Sequence, residues 1–320
     1  MTLETRRSVL TALAATVVAA PLLNGLAGPA PAAHAAGPGD PVNLPDPIEF
    51  PSNTALYRSS KYTEGVDWAR RYHRAELPAA ARFAAFDSFP RTAVLAPHGG
   101  SIELGTSELA LAVAGWKPDA PAESSGLGPT YDYWMFEGLM GKGENDVLHV
   151  TASNCDDPAA LAITGGSRHA VALHGCLASQ LRKCDPSIAF SQALTTVGDR
   201  AVVVGGLDTT FTAYLAEGLR AKFGSGVNGA MVIANNPKFE SLDGDVPTNI
   251  TNRTYSGRGA QLEMTTELRK AMFGDPDGRA DRAATFGKPS AANQDADRFG
   301  LGLRDVIRAA ILRIERNPTG

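Results

Sequence analysis

The chain has 320 residues, 43% hydrophobic and 20% charged, with a formal net charge of -4. That length suits one large domain or two small ones with a substantial core. Beyond the N-terminus the basic residues run only in pairs such as Arg70-Arg71, Arg182-Lys183 and Arg269-Lys270, which excludes the electrostatic footprint of a duplex binder, so no nucleic-acid partner is expected.

The first 36 residues read as a targeting segment. Arg6-Arg7 precede an alanine-rich apolar stretch from Leu13 to Leu26, and Ala33-His34-Ala35 supplies a small-x-small cleavage site, the pattern of a twin-arginine-type signal for export from the cytoplasm. Pro21, Asn24, Gly25 and Gly28 interrupt the run before the roughly 20 apolar residues that a bilayer span needs, so no stable membrane span is expected. Residues 37–56, rich in Pro, Gly, Asp and Asn without a helical or strand period, predict an extended arm. The folded domain is expected over 57–317.

Within it, short β-rich runs at 92–97, 147–152, 169–174, 201–205 and 229–234 alternate with helix-like segments. This is the pattern of an α/β single domain with a central mostly parallel or mixed sheet flanked by helices. Asp157-Pro158 reads as N-cap and first helical residue. Asp208 precedes Phe211, Leu215, Leu219 and Phe223 at four-residue spacing, with Gly224 beyond, so cap, apolar stripe and terminal glycine agree. A last helix is predicted over about 297–316, with Leu301, Leu303, Val306, Ile307, Ala310 and Ile311 on one broad face.

Two strand-like runs end in His-Gly, at His98-Gly99-Gly100 and at His174-Gly175, and Glu103 follows the first closely. Two imidazoles and one carboxylate are the ligand set of catalytic zinc sites, with water in the fourth position. In open α/β sheets ligands bind beyond the carboxyl ends of strands, and His98, His174 and Gly205-Gly206 are all expected at such ends. Glu263, in a late strand-like run before a helix, is the candidate general base. His149, inside Val147 to Thr151, reads as a strand histidine satisfied by a neighbour. The three cysteines leave two pairings open: Cys176 with Cys184, bracing the strand of His174, or Cys155 with Cys176 across neighbouring strands.

The run Ala96 to Ala110, which contains His98-Gly99-Gly100-Ser101-Ile102-Glu103 and Thr106-Ser107-Glu108, resembles the hallmark of the phage and bacterial poly-γ-glutamate hydrolase family. In the family's order there follow Leu148-His149-Val150-Thr151, Asp156-Asp157-Pro158, Leu173-His174-Gly175, Val204-Gly205-Gly206, Asn249-Ile250-Thr251-Asn252-Arg253 and Gln261-Leu262-Glu263. The resemblance spans roughly Arg91 to Arg269.

It implies an exported zinc peptidase with a zinc-carboxypeptidase-like fold that cleaves γ-glutamyl amide bonds in poly-γ-glutamate or related acidic peptides. By position, His98, Glu103 and His174 are similar to the family's Zn2+ ligands and Glu263 to its catalytic carboxylate. Four residues separate His98 from Glu103, unlike the His-x-x-Glu of carboxypeptidases proper, and Cys155 stands where an aromatic is expected. Each γ-linked glutamate leaves a free carboxylate, so an arginine should face it or the oxyanion. Arg253 is the first choice for that catalytic role, with Asn252 and Arg258 as substrate-binding neighbours. N-acyl amino acids or cell-wall peptides are alternative substrates, and a non-catalytic metal- or polymer-binding protein is the alternative class, against which the presence of Glu263 argues. No signature of an oligomeric state stands in the sequence.

Overall fold

A computed structural model describes residues 50–74, 92–120, 122–124, 126–224 and 226–317. The signal-type segment 1–36 and residues 37–49 of the expected arm lie outside the described residues. Seven strands form one sheet: β1 Trp68–His73, β2 Thr92–Gly100, β3 Asp132–Gly138, β4 His169–Cys176, β5 Ala201–Gly205, β6 Met231–Ala234 and β7 Ala260–Thr265. Their order is β1-β3-β2-β4-β7-β5-β6. The β1/β3 and β5/β7 pairs are antiparallel and the other pairs parallel, so the expected α/β domain with a mixed sheet is what forms. The helices are α1 Asn53–Tyr57, α2 Thr106–Ala114, α3 Pro158–Gly165, α4 Ala178–Cys184, α5 Ile188–Thr196, α6 Thr209–Phe223, α7 Thr266–Lys270, α8 Arg279–Thr285 and α9 Ala296–Glu315.

Side-chain alternation along the central strands sorts the core into two faces. Val94, Ala96, Val171, Leu173, Leu262 and Met264 meet α2, α6 and α9 through Leu109, Leu215, Leu303 and Ile307. Ala93, Leu95, Ala170 and Ala172 point the other way, against Leu56 of α1, Ala160 and Ile163 of α3, and Trp134. A third cluster, with Leu181, Leu194, Val203 and Ile233, extends that second face under α4 and α5.

The predicted helix ends hold. Asp208 accepts from Phe211 N at 3.0 Å, and Phe211, Leu215 and Leu219 are fully buried, worth roughly 1.5–3 kcal/mol each relative to exposure. Asp157 caps α3 through Ala160 N at 2.8 Å.

The structure departs from the sequence expectation in five places. The end of the arm folds: Ser52 caps α1 through Ala55 N, Thr54 N donates to Asp156 Oδ1 at 2.7 Å, and Leu56 is buried. Residues 147–152 form no strand; a 3-10 turn over Asn145–Leu148 replaces it, because the Asn145 amide bonds Met140 N and O and Gly141 O and competes with any ladder. Strands β1 and β3 were not expected. β5 runs against β7, with Gly205 opposite Gln261, so Gly205-Gly206 leaves the sheet toward the start of β7 and not beside His174 near the end of β4. Finally, all three cysteines are free. Cys176 ends β4 and Cys184 is the last residue of α4, with no bond between them; Cys155 packs in a different cluster from Cys176.

Candidate metal centre and active site

Strict alternation along β2 would put His98 on the face of Val94 and Ala96, away from His174. A register shift against β3 between Ala96 and Gly99 prevents this. Pro97 and His98 together oppose Phe136, a one-residue bulge of the kind that re-aims a side chain, and Pro97 has no N–H to lose from the ladder. His98 thereby joins the face that carries Ala170, Ala172 and His174. Glu263 shares that face, since it is the register partner of His174 on β7.

The turn after His98 explains the four-residue gap to Glu103. Glu103 N donates to His98 O at 2.9 Å, closing a loop in which Gly100 adopts φ +67° against Gly138 O, a conformation that favours glycine. Thr106 Oγ1 donates to Glu103 O at 3.0 Å. The carboxylate is fixed from the far side by Gly175 N, which donates to Oε2 at 2.8 Å.

Two imidazole nitrogens and a carboxylate converge at this point. His98 Nδ1 lies 2.9 Å from Glu103 Oε1 and 3.1 Å from His174 Nδ1, and His174 Nδ1 lies 3.7 Å from Glu103 Oε2. The other ring nitrogen of His98 faces the Val150 carbonyl at 2.8 Å. A carbonyl only accepts, so Nε2 donates to it, and any lone pair the ring keeps is at Nδ1, which faces a carboxylate oxygen and a second imidazole. Only a proton or a cation reconciles three such atoms. Tetrahedral ligands ~2.1 Å from a metal sit about 3.4 Å apart, which the 2.9–3.7 Å spacings bracket, and a carbonyl behind a ligating imidazole is the usual orienting contact. Two imidazoles and a carboxylate therefore fit a borderline divalent cation.

His149 completes the cluster and was missed by the sequence reading. It follows the 3-10 turn rather than lying in a strand; its ring lies tilted against His98 with centroids 3.8 Å apart, and Nε2 comes 3.7 Å from Glu103 Oε1. The signal available was its position one residue before Val150. Burial and the neighbouring His98 hold the His149 pKa below its ordinary value. Burial works against the Glu103 carboxylate, but His98 and the hydrogen bonds of the three histidines outweigh it and hold its pKa well below the usual range. For Glu263 the balance reverses: burial, then the charge of Glu103, raise it well above the usual range, against Arg269 and a hydrogen bond from Gln261.

Arg269 is the second missed residue. Its buried guanidinium donates to Met264 O, Leu104 O and Thr266 Oγ1 at 2.9–3.1 Å, and more distantly to Cys176 O. It thus ties the ends of β2, β4 and β7 together beside Glu103 and Glu263, and Gly175 is glycine because a β-carbon there would overlap this guanidinium.

The three polar candidates near residue 253 separate. Arg253 is half-buried and donates from Nη1 to Cys155 O at 2.9 Å, which attaches it to the loop that carries His149 and Val150. Asn252 is buried, and its amide is spent within the chain: Nδ2 donates to Gly244 O and Val246 O, while Oδ1 accepts from Leu207 N and Gly259 N. It shapes the loop and has no group left for substrate. Arg258 is exposed and precedes the start of β7; four residues separate it from Glu263, three of them in the strand at roughly 3.3 Å each, and its charge acts on Asp208 instead.

Comparison with known proteins shows what the chain as a whole is similar to. The family model described as poly-gamma-glutamate hydrolase matches residues 85–184 and 193–290. The UPF0714 protein YndL of Bacillus subtilis is 33% identical over 57% of this chain and 56% of its own length; the SPbeta prophage-derived UPF0714 protein YoqZ of the same organism is 30% identical over 57% and 52%. The chain spans about half the length of the curated relatives it matches. A solved bacteriophage poly-gamma-glutamate hydrolase matches with a TM-score of 0.57 and 24% identity, over 84% of this chain and 98% of that one. The zinc-free apo form of YNDL matches with a TM-score of 0.57 and 25% identity, over 85% and 100%. With more than half of its residues matched by the family model, the chain belongs to the poly-γ-glutamate hydrolase family.

Proposed function

We propose that this hydrolase is zinc-dependent and cleaves γ-glutamyl amide bonds in poly-γ-glutamate or related acidic peptides. The observation that carries the reading is the convergence of His98 Nδ1, His174 Nδ1 and the Glu103 carboxylate on the sheet face where Glu263 stands beside His174. Zinc held by these three residues would polarise the scissile carbonyl and lower the pKa of water to about 7. Glu263 accepts the proton of the attacking water and returns it to the departing amine. Arg253, with a single hydrogen bond among the described residues, is the candidate partner for a substrate carboxylate. The paired arginines and small-x-small site of residues 1–36 support export through a twin-arginine-type signal. Among the described residues no helix is long and apolar enough to cross a membrane.

The test is zinc content by elemental analysis together with cleavage of γ-linked and α-linked glutamyl peptides, on the wild type and Glu263→Gln. One zinc per chain, with γ-selective turnover that disappears in the variant while zinc stays, is expected. Equal turnover of both linkages would sink the γ-specific part, and a chain that binds no zinc would overturn the reading.

A further inference from the structure

Three side chains between the sheet and the loop before β7 form a one-way chain of hydrogen bonds that ends on Glu263. The Thr251 N–H donates to Asn249 Oδ1 at 3.1 Å, so the Asn249 amide nitrogen faces away from that turn and donates to Gln261 Oε1 at 2.9 Å. The Gln261 amide is thereby set: Nε2 donates to Glu263 Oε1 at 3.0 Å and reaches Leu242 O at 3.4 Å. Flipping it would set oxygen against carboxylate and NH2 against NH2. Asn249, Gln261 and Glu263 are all buried, where such mismatches are least screened by water.

We propose that Asn249 and Gln261 are positioning residues for the catalytic carboxylate. Asn249 sets the sense of the Gln261 amide, and Gln261 pins Oε1 of Glu263, which leaves Oε2 as the oxygen that takes the proton. No other hydrogen bond holds the Glu263 side chain among the described residues; Glu103 and Arg269 act on it only through space. The proposal rests on Glu263 being the general base.

Asn249→Asp is the discriminating change, because it is isosteric and replaces the one donor that fixes the Gln261 amide. The introduced carboxylate then faces the Gln261 oxygen, and the amide can relieve that clash only by turning its oxygen onto Glu263, so a residue that never touches Glu263 disturbs the contact upon it. General-base positioning carries part of a 10²–10⁴-fold effect, so kcat should fall roughly 10- to 100-fold in Asn249→Asp and in Gln261→Leu, with KM moved less than about twofold and zinc content unchanged. The double variant should be no slower than the slower single one. Without substrate, the carbon-13 shift of the Glu263 carboxyl should move in Asn249→Asp. Wild-type kcat and an unmoved shift in Asn249→Asp would overturn the proposal, as would a rise in KM alone or effects that multiply in the double variant. Glu263→Gln is measured beside them: if it turns over normally, the base assignment has failed and the proposal with it. If it is dead while Asn249→Asp is unaffected, the relay alone has failed.

Discussion

Gly175→Ala tests whether one buried cation holds the strand ends in place. The backbone at residue 175 is not in the left-handed region, so alanine meets no conformational penalty there. Its β-carbon would sit 2.7 Å from Arg269 Nη2 and nearer still to the centre of the guanidinium. Arg269 is almost wholly buried and cannot swing into solvent, and its donors reach Met264 O, Leu104 O and Thr266 Oγ1. A hydrogen bond to a charged group contributes about 1.5–3 kcal/mol, so displacement that breaks two of them should destabilise the chain by about 3–6 kcal/mol, a large part of the 5–15 kcal/mol typical of a domain. Urea unfolding reads this as a fall in midpoint at unchanged slope. Since Leu104 follows Glu103, and Gly175 N holds the Glu103 carboxylate, zinc affinity should fall with stability. A loss below about 1 kcal/mol with unchanged zinc affinity would refute the idea that Arg269 organises the site.

Three further outcomes follow from other buried charges. Arg282 Nε meets Glu108 at 3.2 Å with both side chains almost wholly buried, so Arg282→Met should destabilise by about 3–5 kcal/mol; adding Glu108→Leu should recover part of this in denaturation, whereas additive losses would contradict the pairing. Burial, with Asp245 and Glu240 nearby, raises Asp243 from 3.8 to about 6. Because the folded carboxyl holds its proton more tightly than the unfolded one, this stability is full below pH ~4 and lost as pH rises through about 6. Asp243→Asn should therefore gain on the wild type in that window, by less than about 1 kcal/mol since the group is partly exposed and screened; a difference flat from pH 4 to 8 would contradict it. His149→Ala should weaken zinc binding about 10- to 100-fold in chelator competition, as loss of a neighbour to the ligands does, and an unchanged affinity would place His149 outside the metal's surroundings.

The sequence carried the architecture where one physical signal spoke alone. Asp208, the four-residue apolar stripe and Gly224 delimited α6 to within a residue, and buried runs marked β2, β4 and β5. It did not carry β1, because Arg70 and Arg71 lie on an edge strand where one pairs with Glu64 and Asp157 and the other with Glu137, a pattern with no apolar alternation. It misread 147–152, since apolar Val147, Leu148 and Val150 reach the core from a turn as readily as from a strand. His98, Glu103, His174 and Glu263 were legible because strand ends and glycines mark where ligands gather. His149 was not, since it is brought in by a loop whose path Asn145 sets. Arg269 was hidden in an ordinary-looking basic pair, and the placement of Arg258 at the wrong end of β7 is a matter of strand direction that spacing does not encode.

The groups of the site oppose one another in charge and hydrogen bonding. Glu103 and Glu263 are two carboxylates close enough for the charge of one to raise the other, and the full positive charge behind them belongs to Arg269, whose donors are mostly spent on backbone carbonyls. The Val150 contact leaves the other ring nitrogen of His98 facing Glu103. A divalent ion held between His98, His174 and Glu103, as proposed, would neutralise this arrangement without moving a strand, so metal binding should appear as folding stability. At zinc a thousandfold above its dissociation constant the gain is about 4 kcal/mol, which for a domain of this size is a rise in Tm of roughly 8–16 °C at 2–4 °C per kcal/mol. Calcium and magnesium, which prefer all-oxygen ligands, should give almost none of it. A chelated chain that melts at one temperature with and without zinc would mean that protons, shared between His98 and Glu103, already satisfy the site, and the argument from converging lone pairs would fall.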